Sequence, residues 1–376
     1  MLTVSENAII TGISRPIMSE SSTASARPSR QPQTVSVSDI GGYDEIIDVR
    51  SESEFADDHI AGAVNLPVLN DAERIEIGMM YKQMSPFDAK KRGAALVAIN
   101  IARHLTGELR SRPRDWKPLV YCWRGGGRSG ALAHVLQQIG WRTGRLEGGY
   151  KTYRKTVIDE LDALPARFTW RVVCGMTGTG KSRILSALDD QGAQVLDLER
   201  MAAHRGSVLG DLPNAPQPSQ KLFESCVWHR LRQLDPSRPV FVESESKKIG
   251  RLRVPQALID AMWASECAVI EADVPVRVDL LKDEYGHFLQ DSKRLNTQLD
   301  CLRTLHGNET INQWQALAQA GAWDTLTEDL LVRHYDPAYT RAIVKHYPAL
   351  PHAPNFRLSS RHDAPEVARA IIAAIS

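Results

Sequence analysis

Two short stretches of this 376-residue chain carry residue types and spacings suited to chemistry. The first is Tyr121-Cys122-Trp123-Arg124-Gly125-Gly126-Gly127-Arg128-Ser129. Its cysteine follows a short apolar, β-branched run and precedes a helical one. The glycines at 125, 126 and 127 let the backbone curl with its N–H groups inward, forming an anion-binding nest beside the positive end of the next helix. A thiol in that field ionises more easily, and the thiolate is the reactive form. Cys122 is read as the catalytic nucleophile or carrier. Arg128 is read as its partner, with a fork able to donate two parallel hydrogen bonds to an oxyanion. Trp123, Arg124, Gly125, Gly126 and Gly127 make up the loop between them. A cysteine without such surroundings is usually inert core, and Cys174, Cys226, Cys267 and Cys301 are read that way.

The second stretch, Gly175-Met176-Thr177-Gly178-Thr179-Gly180-Lys181-Ser182, matches G-x-x-x-x-G-K-[ST] throughout. It follows a strand and opens a helix, the context in which such a loop cradles phosphate. Backbone amides over Gly175, Thr177, Gly178, Thr179 and Gly180 would surround phosphate oxygens. Lys181 would neutralise their charge, and Ser182 could bind Mg²⁺. The accompanying acid is less defined. Glu243, Glu245 and Asp197 lie at or just after strand ends, where each could equally be a solvated terminus. The loop could therefore bind a pyrophosphate-bearing substrate without hydrolysing a nucleotide.

These loops need rigid elements behind them. Apolar runs at 45–49 and 118–121 read as buried parallel strands, with helices at 90–105 and 129–139 and Gly140 ending the second helix. The pattern restarts with a strand at 170–174, a helix at 181–188, and strands at 194–197, 239–243 and 268–272. Alternating strands and helices imply parallel sheets covered on both faces, an α/β fold. The expected division is a disordered extension over 1–36, a first α/β domain over 37–157, a charged helix and linker over 150–168, a P-loop domain over 165–275, and a mainly helical region over 276–376. Helices are expected at 327–334 and 337–346, the latter with Pro337 in its first turn.

Composition narrows the function classes. Apolar residues make up 43% and charged residues 24%, ordinary for a globular chain, and a net charge of +1 advertises no global affinity for nucleic acid. No apolar run is long enough to span a bilayer. The five cysteines form no CxxC pair, so neither a zinc site nor a disulfide framework is expected, and free thiols fit a reducing, cytoplasmic setting. Residues 1–36 lack a signal-peptide core, and Glu6 and Glu20 interrupt any transit-peptide pattern. Basic runs occur at Arg124, Arg142, Arg145, Lys151, Arg154 and Lys155; at Lys247, Lys248, Arg251 and Arg253; and at Arg333, His334, Arg341, Lys345 and His346. Each by itself reads as a solvated face.

Residues 37–155 resemble the rhodanese family. The resemblance rests on Asp48-Val49-Arg50 with Glu54-Phe55, on His59-Ile60-Ala61-Gly62-Ala63-Val64-Asn65, on the Cys122 loop, and on Leu146-Glu147-Gly148-Gly149-Tyr150. It implies a rhodanese-like parallel-sheet domain with Cys122 carrying sulfur or selenium, and structural roles for Asp48 and His59. Five residues separate Cys122 from Arg128, where sulfur-transferring rhodaneses usually have four. The wider spacing is that of rhodanese-fold phosphatases, so a Cys-dependent phosphatase with a nucleotide-binding domain is the alternative reading. It also suits a loop sized for selenophosphate.

A rhodanese-like domain followed by a P-loop NTPase-like domain resembles the tRNA 2-selenouridine synthase family. Further residues that carry the likeness are Phe241-Val242-Glu243-Ser244-Glu245-Ser246-Lys247-Lys248-Ile249-Gly250 and His334-Tyr335-Asp336-Pro337-Ala338-Tyr339. Ser244 stands where an acid is expected in some relatives. The resemblance implies replacement of sulfur by selenium in the wobble 2-thiouridine of tRNAs for Lys, Glu and Gln. It implies selenophosphate and geranyl diphosphate as co-substrates, an S-geranyl intermediate and no bound metal cofactor. RNA bases could stack on Trp123 or Tyr150. The sequence sets neither the subunit count nor the choice between ATP and geranyl diphosphate in the P-loop.

Overall fold

In the computed structural model, residues 31–213 and 215–375 are described. The first sheet contains β1 (Gln33–Val35), β2 (Glu45–Asp48), β3 (Val64–Asn65), β4 (Pro118–Tyr121) and β5 (Gly144–Leu146), all parallel, in the order β1-β5-β4-β2-β3. Side chains alternate along the central strand. Leu119 and Tyr121 enter one apolar cluster, and Val120 and Cys122 enter another on the opposite face. Both faces of β4 are thus covered, which explains its unbroken apolar run.

The expected helices at 90–105 and 129–139 are present as Pro86–Thr106 and Gly127–Ile139, and Gly140 ends the latter in the left-handed conformation. The chain joins the sheet earlier than expected, because β1 pairs with β5 from Gln33 onward. Residues 33–36 are therefore not part of an extension. Of the remainder of that expectation, residues 1–30 lie outside the described residues.

The second sheet contains β6 (Trp170–Cys174), β7 (Gln194–Leu196), β8 (Val240–Glu243), β11 (Glu266–Glu271) and β12 (Asn355–Arg357), again all parallel, in the order β12-β11-β6-β8-β7. Between β8 and β11 lies a small antiparallel hairpin, β9 (Lys248–Ile249) and β10 (Leu252–Arg253). The helix Lys181–Asp190 starts at the end of the P-loop, as the motif requires.

Two boundaries differ from the sequence reading. The segment 150–168 contains the charged helix expected there, but it is part of the core and not a linker. Its helix Gly149–Leu161 buries Tyr150, Tyr153, Val157 and Leu161, and these join side chains of both sheets in one continuous core. Helix Gln220–Gln233 meets it there. Tyr153 packs edge-on against Trp228, and the Trp228 indole N–H donates to Glu160 at 2.8 Å.

The region after 276 is mainly helical as expected, but it is not separate from the second sheet. Helices from Val274 to His346 form an insertion with a separate apolar cluster around Trp314, and the chain then returns to the second sheet through β12 and helix Ala364–Ile375. The two late helices appear as Trp323–Leu330 and Asp336–His346, joined by a π-helical turn at Leu331–Tyr335, and Pro337 occupies the first turn of the second. None of the described helices is long and apolar enough to cross a membrane.

Candidate active site

The Cys122 loop is held from below by the glycine pair that follows β5. The first amides of helix Gly149–Leu161 donate to it, Tyr150 N to Cys122 O at 2.8 Å and Lys151 N to Trp123 O at 3.0 Å. Gly125, Gly148 and Gly149 all take positive φ, a conformation that costs a side-chain-bearing residue about 1–2 kcal/mol. Gly126 and Gly127 face open space instead, so the triple glycine needs its freedom at Gly125 alone.

Cys122 is buried, and its Sγ lies 3.2 Å from Ser129 Oγ. Burial alone would raise this thiol. The Ser129 hydroxyl, the amides of Ser129 and Arg124, and the charge of Arg128 outweigh it and hold the thiol below its ordinary value.

Arg128 departs from the expectation that its fork closes the loop. Nη1 and Nη2 both donate to Glu54, at 2.7 and 3.3 Å. Glu54 is itself fixed by a capping box with Ser51 at the start of helix Glu52–Asp57, and Arg128, foremost among its partners, keeps its carboxyl below the usual range despite burial. Arg128 thus acts on Cys122 through its charge.

Beneath the loop, Asp48 and Arg50 form a buried ion pair at 2.6 Å, and Arg50 lies 4.0 Å over the Tyr150 ring. The Tyr150 hydroxyl donates to buried Asp58 at 2.7 Å. Tyr150 is therefore a packed support and cannot offer its face to an RNA base, whereas Trp123 remains 39% exposed. His59 donates to Phe55 O at 2.9 Å and stacks on the Phe55 ring, the structural role expected.

At the second loop, Thr177, Gly178, Gly180, Lys181 and Ser182 line a cavity of about 690 Å³. Gly178 and Gly180 need positive φ. Gly175 and Thr179 serve the loop from behind. Gly175 N donates to the Tyr339 hydroxyl at 2.7 Å, and the Thr179 hydroxyl donates to Met176 O at 2.9 Å. Lys181 Nζ donates to Gly175 O at 2.8 Å and Met176 O at 3.3 Å.

The insertion closes the loop's other side. Arg277, buried, donates from Nε to Thr177 O at 2.9 Å and pairs through its terminal nitrogens with Asp336 at 3.0 and 2.5 Å. The stretch from His334 to Tyr339 thus belongs to the P-loop site, since His334, Tyr335, Ala338 and Tyr339 line the same cavity.

The acid facing Ser182 is Glu199, which the sequence reading missed. Ser182 Oγ donates to Glu199 Oε2 at 3.0 Å, and Glu199 N donates to Glu243 Oε1 at 2.8 Å. Asp197 caps the short helix Leu198–Ala202 by accepting from Arg200 N at 2.8 Å. The available signal was an acid two residues beyond the strand-end Asp197, in a helical first turn.

Burial pushes the carboxyls of Glu199, Glu243 and Glu245 up, reinforced by Asp197 and Glu199 at Glu243 and by Glu199 and Glu243 at Glu245, while the Lys181 charge opposes it at Glu199 and Glu245. Ser244 also lines the cavity. No group of three metal-ligating side chains is assembled among the described residues. Ser182 and Glu199 would fit Mg²⁺ arriving with a phosphate, since this ion usually keeps several waters and takes only one or two carboxylates.

A low-pKa thiol in a strand-to-helix loop of one parallel sheet, fused through a shared core to a phosphate cradle on another, defines a rhodanese-like domain joined to a P-loop domain. The profile of the rhodanese-like domain matches residues 36–156, and that of the tRNA 2-selenouridine synthase AAA domain matches residues 168–303. A tRNA 2-selenouridine synthase of Aeromonas salmonicida is 33% identical over 327 residues, covering 78% of this chain and 86% of that protein. Another from Alcanivorax borkumensis is 36% identical over 279 residues, covering 71% and 73%. A solved rhodanese-related protein from Thermoplasma volcanium is 20% identical, with a TM-score of 0.22, and covers 33% of this chain and 92% of its own. The chain belongs to the tRNA 2-selenouridine synthase family.

Proposed function

We propose that this protein converts wobble 2-thiouridine to 2-selenouridine in tRNAs for Lys, Glu and Gln. Selenophosphate is the selenium donor, and geranyl diphosphate activates the sulfur. The thiocarbonyl sulfur attacks C1 of the geranyl group. A C–S bond forms, the C–O bond to diphosphate breaks, and the base N3 proton is released. The selenium of selenophosphate then adds at C2, the alkylated sulfur leaves as geranyl thiol, and water cleaves the P–Se bond to release phosphate and 2-selenouridine. Lys181 stabilises the departing pyrophosphate, and Ser182 with Glu199 would hold any accompanying Mg²⁺. Cys122 and its amide nest deliver or orient selenium.

One observation carries the choice of an isoprenoid diphosphate over a nucleotide. Beside the phosphate cavity lies an apolar pocket lined by Leu281, Tyr285, Phe288, Leu295, Leu326 and Leu330, and Thr177, Leu281, Tyr285 and Tyr335 border both. Such a lining suits a hydrocarbon tail and offers little to the hydrogen-bonding edge of a purine, and at about 60 Å³ its walls must part to take in a whole geranyl chain. With thiolated tRNA and geranyl diphosphate but no selenophosphate, the protein is expected to form S-geranyl-2-thiouridine and release one pyrophosphate per modified base, without competition from ATP. Pyrophosphate release is followed by a coupled assay. Efficient competition by ATP would reassign the loop to a nucleotide. Turnover of an aryl phosphate that is lost in Cys122→Ser would favour the phosphatase alternative.

A further inference from the structure

The hairpin β9–β10 carries charges that the two loops do not use. Lys247, Lys248, Arg251 and Arg253 are all exposed, whereas Ile249, Leu252 and Val254 among them are buried. The pairing register sets Lys248 directly opposite Arg253, and like charges in that relation destabilise a strand pair. Among the described residues no carboxylate relieves this, because none of the four is in an ion pair. In the other basic runs Arg154 pairs with Glu224, Lys155 with Asp159 and Arg333 with Asp329, while Arg124, Arg142, Arg145, Lys151, Arg341 and Lys345 are in no ion pair among the described residues; the hairpin differs in setting two unpaired cations directly opposite each other.

Lys247 rests 5.3 Å over the Trp263 ring, and Trp263 stacks on His346 at 4.0 Å. Burial first, and then Lys345 and Lys247, hold the His346 imidazole below its ordinary value, a sign of positive local potential.

The hairpin also stands between the two sites along the chain of contacts. Ser244, Glu245 and Ser246, just before it, line the phosphate cavity. Arg253 is braced through its backbone, its N–H donating to Gln220 Oε1 and its carbonyl accepting from Gln220 Nε2, both at 2.8 Å. Gln220 opens helix Gln220–Gln233, whose first turn reaches the rhodanese-like domain through Lys221 and Asp57 at 2.6 Å. Arg154, in the helix that supports the Cys122 loop, donates to Lys221 O at 3.2 Å. One connected set of elements thus links the hairpin cations to both loops.

We infer that the hairpin 247–253 is the docking surface for the phosphate backbone of the RNA substrate. This rests on the proposal that tRNA is that substrate. A membrane-binding element would combine its cations with exposed apolar side chains able to enter the bilayer, and on this hairpin those side chains are buried. Backbone contacts of this kind supply affinity and register and leave base choice to other residues.

The test is the full-length double variant Lys248→Gln/Arg253→Gln, assayed for tRNA binding across about 50 to 200 mM salt. Binding at the low end is expected to weaken about tenfold or more. The slope of log affinity against log salt is expected to fall by about 1–2, since each lost phosphate contact removes about 0.7–0.9. Thermal stability should be unchanged or slightly higher, since the opposed charges are removed, and geranyl diphosphate binding should be unchanged, which separates a lost contact from a lost fold. Wild-type binding that the variant reproduces in affinity and slope overturns the inference and leaves the proposed function standing. A wild type that binds no tRNA at any salt overturns both. Binding to vesicles of anionic lipid that depends on Lys248 and Arg253, without tRNA binding, overturns the partner.

Discussion

Gly149→Ala is expected to abolish selenium transfer through Cys122 while the P-loop domain stays folded. An alanine Cβ at 149 would overlap Cys122 O and sit 2.5 Å from Gly125 N, in a residue held at φ +62°. Neither obstacle is the end of a flexible side chain that could swing away, because both are backbone atoms of the loop itself. The conformational cost of about 1–2 kcal/mol and an overpacking cost of about 1–3 kcal/mol both fall on the loop.

The measurement is the pH profile of alkylation at Cys122, followed by peptide mass spectrometry so that exposed Cys301 does not interfere. The thiolate is the reacting form. A thiol held below its ordinary value therefore reaches its plateau rate at lower pH, and that is the wild-type expectation. In Gly149→Ala the amide and hydroxyl donors move away from Sγ, so the midpoint should rise towards an ordinary thiol, about 8.5. An unshifted profile would show that the glycine pair does not shape the loop.

Lys181→Ala is expected to remove geranylation almost completely, by roughly 10²–10³-fold, the usual cost of deleting one preorganised partner of developing negative charge. Its ammonium is the cation that opposes the raised carboxyls of Glu199 and Glu245. Without it, a diphosphate would enter a site of net negative character. The variant should still convert tRNA that already carries S-geranyl-2-thiouridine when selenophosphate is supplied. This split, with the first step lost and the second retained, is read by nucleoside mass spectrometry. Loss of both steps would mean that the P-loop serves selenation as well.

The sequence made both loops legible because each is a local motif whose meaning lies in consecutive residues. Strand before, glycines within and helix after are visible at 118–139 and 170–188, and the sheets follow from the repeated alternation. Long-range partners were not legible. Nothing around Arg128 says that its fork is taken by Glu54, 74 positions away. Glu199 was hidden because Asp197 is the acid next to the strand, and only the turn into helix Leu198–Ala202 decides which of the two faces Ser182.

The helix Gly149–Leu161 was legible as a charged helix but not as part of the core, because its charged face is as prominent in sequence as Tyr150, Tyr153, Val157 and Leu161. Its burial depends on a second domain that no local pattern can supply. The same holds for β12, three residues at the end of a helical region that belong to the sheet only through pairing with β11.

The most direct test of the central claim is nucleoside mass spectrometry of thiolated tRNA incubated with geranyl diphosphate and selenophosphate, comparing wild type with Cys122→Ser. The wild type is expected to yield 2-selenouridine, and the variant to stop at S-geranyl-2-thiouridine. Equal selenouridine from both proteins, or none from the wild type with active donors, would contradict the account.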